Sequence, residues 1–365
     1  MVIAKKPICF LLVFLFFMTS VTAFAESEKS EDGKGNLIDT SEEINAYIKH
    51  HLQDSHDFTF YTDGETSTHY SLPLPVIVWD EGLHIFMSSK FHHGESVAES
   101  NGKFYLLYHS KIYRTDSEGT ITLNDHDHPT NIKPLDFSIT KSVVGMLVAS
   151  ILLVWGFSSL ARSYKKGPIP TGIGRLLEPL VLYVRDEIAI PNIGEKKYGK
   201  YMSFLLTVFF FIWILNLMGM TPLGFNVTGN IAVTTCLALF TMIIYVSSGT
   251  KDFWMHTLWM PGVPYVLRPV LAVIELAGFI LIKPFSLLVR LYANITAGHF
   301  VIMSLIALMI TLKAAFGPVA STGVSLFLTL FITVIELLVA FLQAFIFTML
   351  SSLFIGMAVA EHDAH

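Results

Sequence analysis

The 365-residue chain has only two cysteines, Cys9 and Cys236, so no disulfide bond can form within its polar segment, residues 26–137, which contains neither. Charged residues are also scarce, at 15% of the total, whereas hydrophobic residues make up 53%. No GxxxxGK[ST] sequence is present, which excludes the common phosphate-binding loop of nucleotide-hydrolysing enzymes. This composition indicates that much of the chain lies within a membrane.

Acidic and basic residues are divided unevenly along the chain. Residues 26–137 hold 20 Asp and Glu against 8 Lys and Arg, whereas residues 138–365 hold 9 against 14. Ten of the fourteen histidines lie in the acidic part. Neither part has the strongly basic character of a nucleic-acid-binding protein, so nucleic acid is excluded as a partner.

The beginning of the chain has the pattern of a secretory signal peptide. Lys5 and Lys6 precede an apolar core at residues 8–18, and Ala23-Phe24-Ala25 forms a small-residue cleavage site. We expect residues 1–25 to be removed and the chain from residue 26 to be exported. An uncleaved signal anchor is the alternative.

Residues 26–137 are an acidic, His-rich extension that we predict to contain a small β-rich domain from about residue 46. Alternating runs rich in aromatic residues are separated by Pro, Gly and Asp: HYSLPLPVIVW, LHIFMSSKF, KFYLLYH, KIYRTD and GTITLN. The sequences His92-His93 and Asp125-His126-Asp127-His128 raise the hypothesis of a metal site. Because no HxxxH or HExxH spacing occurs, we prefer a hydrophilic surface without a metal.

The remainder, residues 138–361, is predicted to be an all-α polytopic membrane domain. We expect about five spans, at about 139–160, 201–220, 230–247, 265–312 and 321–359, and an interfacial amphipathic helix at about 171–190. The last two runs exceed the roughly 20 residues that cross a bilayer, so we expect strong tilt or a near-horizontal course. They are separated at Gly317-Pro318.

Charge also predicts how the membrane domain is oriented. Arg162, Lys165 and Lys166 follow the first span, and further Lys and Arg residues follow up to Lys200. Positive charge favours the cytoplasmic side. We therefore expect a multi-pass protein of the cell inner membrane, with a periplasmic N-terminal domain and a cytoplasmic C-terminus.

Arg290 is the most informative residue, because it lies in the apolar run FILIKPFSLLVRLYANITAGHFVIMSLIALMI. A guanidinium at the bilayer centre costs at least about 2.5 kcal/mol, and it cannot lose its proton to escape that cost. More than a dozen apolar residues follow, too many for the side chain to reach the interface. Arg290 must therefore face another protein surface, a counter-charge or water.

Further polar side chains occur in the last two predicted spans. They are Glu275, Lys283, Ser286, Asn294 and His299 in the first, and Glu336 and Gln343 in the second. Ser286, Arg290 and Asn294 share one helical face, since they are four residues apart. Glutamate and histidine can exchange protons within a membrane, which is typical of an ion path. Hydrogen bonds between helices are the structural alternative, and they would suffice for Ser286 or Asn216.

Two other function classes use buried polar groups. A proton-coupled secondary transporter would be expected to show inverted repeats, but we detect no internal duplication. An intramembrane hydrolase could use Ser286 as nucleophile and His299 as base. No GxSxG sequence is present, and thirteen residues place these two side chains about 140° apart on one helix.

Four blocks of the sequence resemble subunit a of F-type ATP synthases, the stator half of the proton channel. They are EPLVLYVRDEIAIPNIG (178–194), NLMGMTPLG (216–224), KPFSLLVRLYANITAGH (283–299) and LQAFIFTML (342–350). The resemblance covers about 138–361. Residues 26–137 lie outside the common core and resemble the periplasmic extension of the Bacteroidetes-type form.

The resemblance implies a role for each matching residue. Arg290 matches the essential arginine that faces the carboxylates of the rotating c-ring, and Asn294 and Gln343 match its polar neighbours. His299 and Glu336 match a coupled pair in the channel on the exported side. Many bacterial members carry the glutamate first and the histidine second, so the order here is swapped, as in mitochondrial forms.

The resemblance also implies the position of Glu275 and the partners of the chain. Glu275 matches a residue of the cytoplasmic half-channel. The chain would be a non-enzymatic, ion-translocating subunit without cofactor or metal, with ATP chemistry on other subunits. Its partners would be the c-ring, the b subunits of the peripheral stalk, the remaining ATP synthase subunits and the lipid membrane.

Overall fold

The computed structural model describes residues 54–63, 68–94, 96–124, 129–165, 167, 169–221, 225–259 and 264–360. The predicted signal peptide and the Asp125–His128 sequence lie outside these residues. The described residues form two compact units. The first unit contains those up to 146 together with 218–227 and 299–332, and the second contains 147–217, 228–298 and 333–360.

The N-terminal part of the first unit is built from short antiparallel strands. They are β1 (Asp57–Asp63), β2 (Thr68–Pro73), β3 (Pro75–Trp79), β4 (Leu83–Met87), β5 (Ala98–Ser100), β6 (Lys103–Tyr108), β7 (Lys111–Thr115) and β8 (Leu135–Asp136). Their order is β1-β2 in one sheet, β4-β3-β8 in a second and β5-β6-β7 in a third. The prediction of a small β-rich N-terminal domain is confirmed.

The core of this domain follows from alternation along the strands. Val76 and Val78 of β3 and Phe86 of β4 are buried, and they pack with Tyr105 of β6 and Ile112 of β7. Successive side chains of a strand point to opposite faces, so the intervening residues of β3 and β4 point away from this core.

Two of the predicted runs fold differently from expectation. GTITLN is not a strand, and Leu123 makes only an isolated bridge to Pro129. The carboxylate of Asp116 accepts a hydrogen bond from the Thr120 backbone N–H at 2.9 Å, which closes a turn over residues 116–120, at the start of this run. The end of LHIFMSSKF forms a 3₁₀ turn at Ser88–Gly94 instead of extending β4.

The rest of the described chain is helical. Its helices are α1 (Lys141–Tyr164), α2 (Gly174–Tyr183), α3 (Ile190–Ile193), α4 (Tyr198–Gly219), α5 (Ile231–Ser247), α6 (Lys251–Leu258), α7 (Arg268–Ala277) and α8 (Lys283–Val359). Four stretches are long and apolar enough to cross a membrane: Lys141–Tyr164, Tyr198–Gly219, Arg268–Leu305 and Val319–Val359. The 17-residue α5 is a shorter apolar helix. The predicted helical membrane fold is confirmed, and α6 was not predicted.

Helix α8 is broken at the predicted position. Gly317 has φ +79° and ψ +165°, which a residue without a side chain adopts readily. We call residues 283–316 the first arm of α8 and residues 318–359 the second arm. Both arms extend closer to the break than expected: the first arm continues to residue 316 instead of 312, and the second begins at residue 318 instead of 321.

Two π turns interrupt the helices of the second unit. Val184–Ala189 joins α2 to α3, and Gly278–Ile282 joins α7 to α8. A π turn leaves backbone carbonyls poorly paired. The buried Tyr245 hydroxyl of α5 donates a hydrogen bond to the Phe279 carbonyl at 2.5 Å, which satisfies one of them.

Candidate functional site

Arg290 lies on the first arm of α8, beside the apolar stripe that joins this arm to the core of the second unit. Leu287 and Leu291, its neighbours on that stripe, are completely buried in the core. Arg290 itself is half-buried, and no described residue forms an ion pair or a hydrogen bond with it. A cation in this position requires water or an opposite charge that the described residues do not supply.

The predicted polar face of the first arm is present. Ser286 and Asn294 lie one turn before and one turn after Arg290, and both are exposed. The Asn294 side-chain amide donates a hydrogen bond to Gln343 Oε1 on the second arm at 2.5 Å. Gln343 is 1% exposed, and its Nε2 has no hydrogen-bond partner among the described residues. An unpaired buried donor is costly, so this amide is expected to bind a partner beyond the described residues, such as an ordered water.

Glu336 lies where the second arm meets the first. It is 8% exposed, and its carboxyl group lies against Gly298. A Cβ atom placed on Gly298 would lie 2.2 Å from Glu336 Oε1 and 2.9 Å from its Cδ. The carboxyl group therefore occupies the space that any other side chain at 298 would fill. Glu336 Oε2 has no hydrogen-bond partner among the described residues.

The two contacts define how these helices are paired. Gly298 lies against Glu336, and Asn294 is hydrogen-bonded to Gln343. Residue numbers fall along the first arm while they rise along the second, so residues 283–298 and 333–359 run antiparallel. Arg290 lies one further turn along, about 12 Å from Gly298 along the helix axis. The pairing thus places a carboxyl group and two amides in sequence along one helix interface, and the Arg290 guanidinium lies one turn beyond them on the same face of the first arm.

Asn216 of α4 fixes the second arm from another side. Its side-chain amide donates a hydrogen bond to the Ala340 carbonyl at 3.3 Å, and its Oδ1 accepts one from the Thr228 hydroxyl at 3.2 Å. Ala340 lies between Glu336 and Gln343 on the second arm. Asn216 therefore has the inter-helix role considered for it from the sequence.

Glu275 is not brought to the Arg290 group. It is a half-buried residue of α7, fifteen residues before Arg290 and beyond the π turn. Fifteen residues correspond to about 22 Å along a helix. The nearby Lys283 lies with its ammonium 3.2 Å from the centre of the Phe279 ring and 5.2 Å from that of Phe354, a cation–π arrangement that stabilises a half-buried cation.

The partner predicted for Glu336 was His299. Its backbone continues the first arm directly after Gly298, but its side chain lies outside the described part of the structure. The coupling of these two side chains stays a prediction. Among the described residues, no group of three His, Cys, Asp or Glu side chains could hold a metal ion.

Gly298 is the site residue that sequence reasoning missed. Its only signal was the small residue directly before His299 in the block TAGH. Small residues in membrane helices let another helix approach closely. Which side chain takes up that space depends on the pairing of the two arms, and the sequence pattern does not specify it.

The fold and these polar groups define a class of protein. Several apolar helices long enough to cross a bilayer carry ionisable side chains at their interfaces, as in ion-translocating membrane proteins. The sequence model of the ATP synthase A chain family matches residues 143–356, well over half of the chain. The chain belongs to this family. A second match, to a domain of unknown function (DUF8433), covers residues 47–137.

Curated relatives agree with the family assignment. The chain is 43% identical over 238 residues to ATP synthase subunit a 2 of Chlorobaculum tepidum, a match that covers 63% of this chain and 66% of the relative. It is 43% identical over 240 residues to ATP synthase subunit a of Myxococcus xanthus, covering 63% of this chain and 77% of the relative. It is 37% identical over 321 residues to ATP synthase subunit a 2 of Prosthecochloris aestuarii, covering 84% and 96%.

These findings confirm the resemblance to subunit a. They favour the channel prediction over the transporter and hydrolase alternatives. The chain spans slightly less than two thirds of the Chlorobaculum protein but nearly all of the Prosthecochloris protein.

Proposed function

We propose that this chain is the proton-conducting stator subunit of an F-type ATP synthase, and that Arg290 faces the carboxylates of the rotor ring. The observation that carries the proposal is the half-buried Arg290 without an opposite charge among the described residues. A carboxylate delivered by a moving partner would supply that charge, and the ring would bring one carboxylate after another.

We propose two offset half-channels on either side of the arginine. A proton enters from the exported side past Glu336 and His299 and neutralises a rotor carboxylate. The neutral site can then rotate into lipid, where an ionised one would be heavily penalised. After nearly a full turn the proton leaves through the cytoplasmic half-channel past Glu275. Arg290 stabilises the ionised carboxylate and prevents a direct leak between the channels.

The arrangement along the first arm supports this sequence of steps. Glu336 is buried against Gly298, and its buried Oε2 has no partner among the described residues, so it could bind a proton donor or acceptor. The Asn294–Gln343 hydrogen bond lies between Glu336 and Arg290 and would hold the two arms at a fixed spacing. Ser286 extends the same face beyond the arginine and would contact the rotor with it. Glu275 lies far along the helix from Glu336, as two separate half-channels require.

The proposed orientation has support from the distribution of positive charge. Arg162 and Lys165 directly follow α1, Lys200 lies further along the chain, and positive charge favours the cytoplasmic side. We propose a periplasmic extension at 26–137 after a signal peptide at 1–25, a membrane domain at 138–361 and a cytoplasmic C-terminus.

The proposed partners follow from the family. We propose that the c-ring contacts the Arg290 face, that b subunits of the peripheral stalk bind elsewhere on the membrane domain, and that the catalytic subunits carry the ATP chemistry. The chain itself would be non-catalytic and would need no cofactor.

ATP-driven acidification of inverted membrane vesicles tests the proposal. Arg290→Ala should abolish pumping while the c-ring and catalytic subunits still co-purify with the chain, because only the stator charge is lost. Arg175→Ala is a matched control, since Arg175 is an exposed arginine at the start of α2. Pumping that survives in Arg290→Ala would show that the arginine is structural and would overturn the proposal.

A further inference from the structure

The sheet β4-β3-β8 of the exported domain has an apolar face that points away from the domain core. Val76, Val78 and Phe86 occupy its inner face. The outer face carries large apolar side chains that are each between 45% and 64% exposed: Trp79, Leu83, Ile85, Met87, Leu135 and Phe137. They are adjacent, because Trp79 pairs with both Leu83 and Leu135, and Ile77 pairs with Ile85.

Such a face is unusual in a soluble domain. An antiparallel sheet with one face on a core normally carries polar residues on the other face. Here the outward positions of all three strands are apolar, and the six large side chains named above remain about half exposed. Contiguous exposed apolar surface of this kind marks a site of contact with a protein or a membrane.

The position of the sheet in the chain favours a membrane. Strand β8 ends at Asp136, and α1, a span-length helix of mean hydropathy 2.2, begins at Lys141. The connection continues along β3, since the Phe137 N–H donates to the Ile77 carbonyl at 2.8 Å and the Ile139 N–H to the Pro75 carbonyl at 3.1 Å. The few residues between sheet and helix can span no more than about 14 Å.

The start of α1 is also fixed to the domain by side-chain contacts. The Asp54 carboxylate accepts hydrogen bonds from the Ser142 N–H at 3.0 Å and from the Thr140 hydroxyl at 2.9 Å. The Lys141 N–H donates to the Ser55 carbonyl at 3.0 Å. A carboxylate at a helix N-terminus is favourable, so this junction is specific and is not a loose tether. If α1 crosses the bilayer, the sheet must lie at the bilayer surface.

We infer that the outer face of the β4-β3-β8 sheet rests on the lipid of the exported leaflet. Trp79 suits this position, because tryptophan concentrates at the membrane–water interface, and Leu, Ile, Phe and Met bury apolar area among the acyl chains. Charge attraction does not contribute, since the extension holds 20 acidic against 8 basic residues. The contact is therefore apolar and insensitive to salt.

A fluorescent reporter on the sheet tests this inference in the intact ATP synthase complex reconstituted in lipid nanodiscs. In a background with Cys9 and Cys236 replaced by Ala, an environment-sensitive fluorophore is attached to Ile85→Cys. The matched control is Lys111→Cys, an exposed position on β7 in the β5-β6-β7 sheet. Leu83→Cys serves as a second reporter on the apolar face if Ile85→Cys does not assemble.

We expect the label at 85 to emit at shorter wavelength than the label at 111. Quenching by aqueous iodide should be at least about fivefold weaker at 85, and quenching by nitroxide-labelled lipid should be seen only there, at low and high salt alike. Equal iodide quenching at both positions would show that the face lies in water. Protection from both iodide and lipid quencher would show that a protein surface covers it. Either result overturns the inference, whether or not Arg290→Ala abolishes pumping.

Discussion

Replacing Gly298 by alanine should impair proton transfer through Glu336 while the fold is retained. The added Cβ would lie 2.2 Å from Glu336 Oε1, 2.9 Å from Cδ and 3.4 Å from Cγ. Only the end of the glutamate side chain is too close, because the Cγ distance is an ordinary contact. The helices can therefore keep their pairing while the carboxyl group rotates away.

The size of the displacement sets the size of the effect. The carboxyl oxygen must retreat by about 1 Å to reach an ordinary contact, and misplacement of a functional group by this distance can lower a rate about 100-fold. Alanine also has the higher helix propensity, so the substitution costs the helix nothing locally. We expect a normal amount of assembled complex and ATP-driven proton pumping reduced between about 10-fold and 100-fold.

Pumping rates in inverted vesicles, normalised to the assembled complex, provide the measurement. Gly323→Ala is the matched control, because a Cβ at that glycine on the second arm would meet nothing within 4 Å. Glu336→Asp in the Gly298→Ala background withdraws the carboxyl group by one carbon–carbon bond, about 1.5 Å, and should restore part of the lost rate.

Three results would refute this reasoning. Unchanged pumping in Gly298→Ala would mean that the position of the Glu336 carboxyl group does not limit proton transfer. Loss of assembly would mean that the glycine serves helix packing alone. An equal defect in Gly323→Ala would mean that the effect comes from alanine in α8 and not from the contact.

Two further predictions concern other ionisable groups. Glu336→Gln should slow pumping, and Glu336→His combined with His299→Glu should restore more activity in the same vesicle assay than either single change; a double variant no better than the worse single one would contradict the proposed pair. In the N-terminal β-rich domain, burial alone would raise the pKa of Asp136, but hydrogen bonds, foremost from His56 at 3.0 Å, hold that pKa below its ordinary value. The carboxylate therefore contributes stability that is present at neutral pH and is lost as the pH falls below the ordinary aspartate pKa and through the lower folded-state pKa, and Asp136→Asn should flatten this acid dependence in a denaturation series.

The membrane helices were largely predictable because each depends on a local property. A run of apolar residues long enough to cross a bilayer must form a helix there, and Gly317-Pro318 interrupts one for reasons of backbone geometry. The polar residues of the site were also evident, since a charge such as Arg290 within such a run is exceptional.

What could not be predicted depends on contacts between distant parts of the chain. The pairing of Gly298 with Glu336 and of Asn294 with Gln343 follows from the packing of two arms, which no local pattern encodes. Strand prediction failed at GTITLN because the Asp116 side chain offers the backbone a turn in place of a strand.

The π turn at Gly278–Ile282 has a consequence for how Arg290 is aimed. A π turn holds one residue more than an α-helical turn. Every side chain after it is therefore rotated by about 100° from the direction that it would have in an uninterrupted α-helix. The azimuth of the arginine is thus set separately from that of Glu275, although both lie on nearly continuous helix. Deletion of a single residue in this turn would keep both Glu275 and Arg290 but would change the angle between their side chains about the helix axis by about 100°.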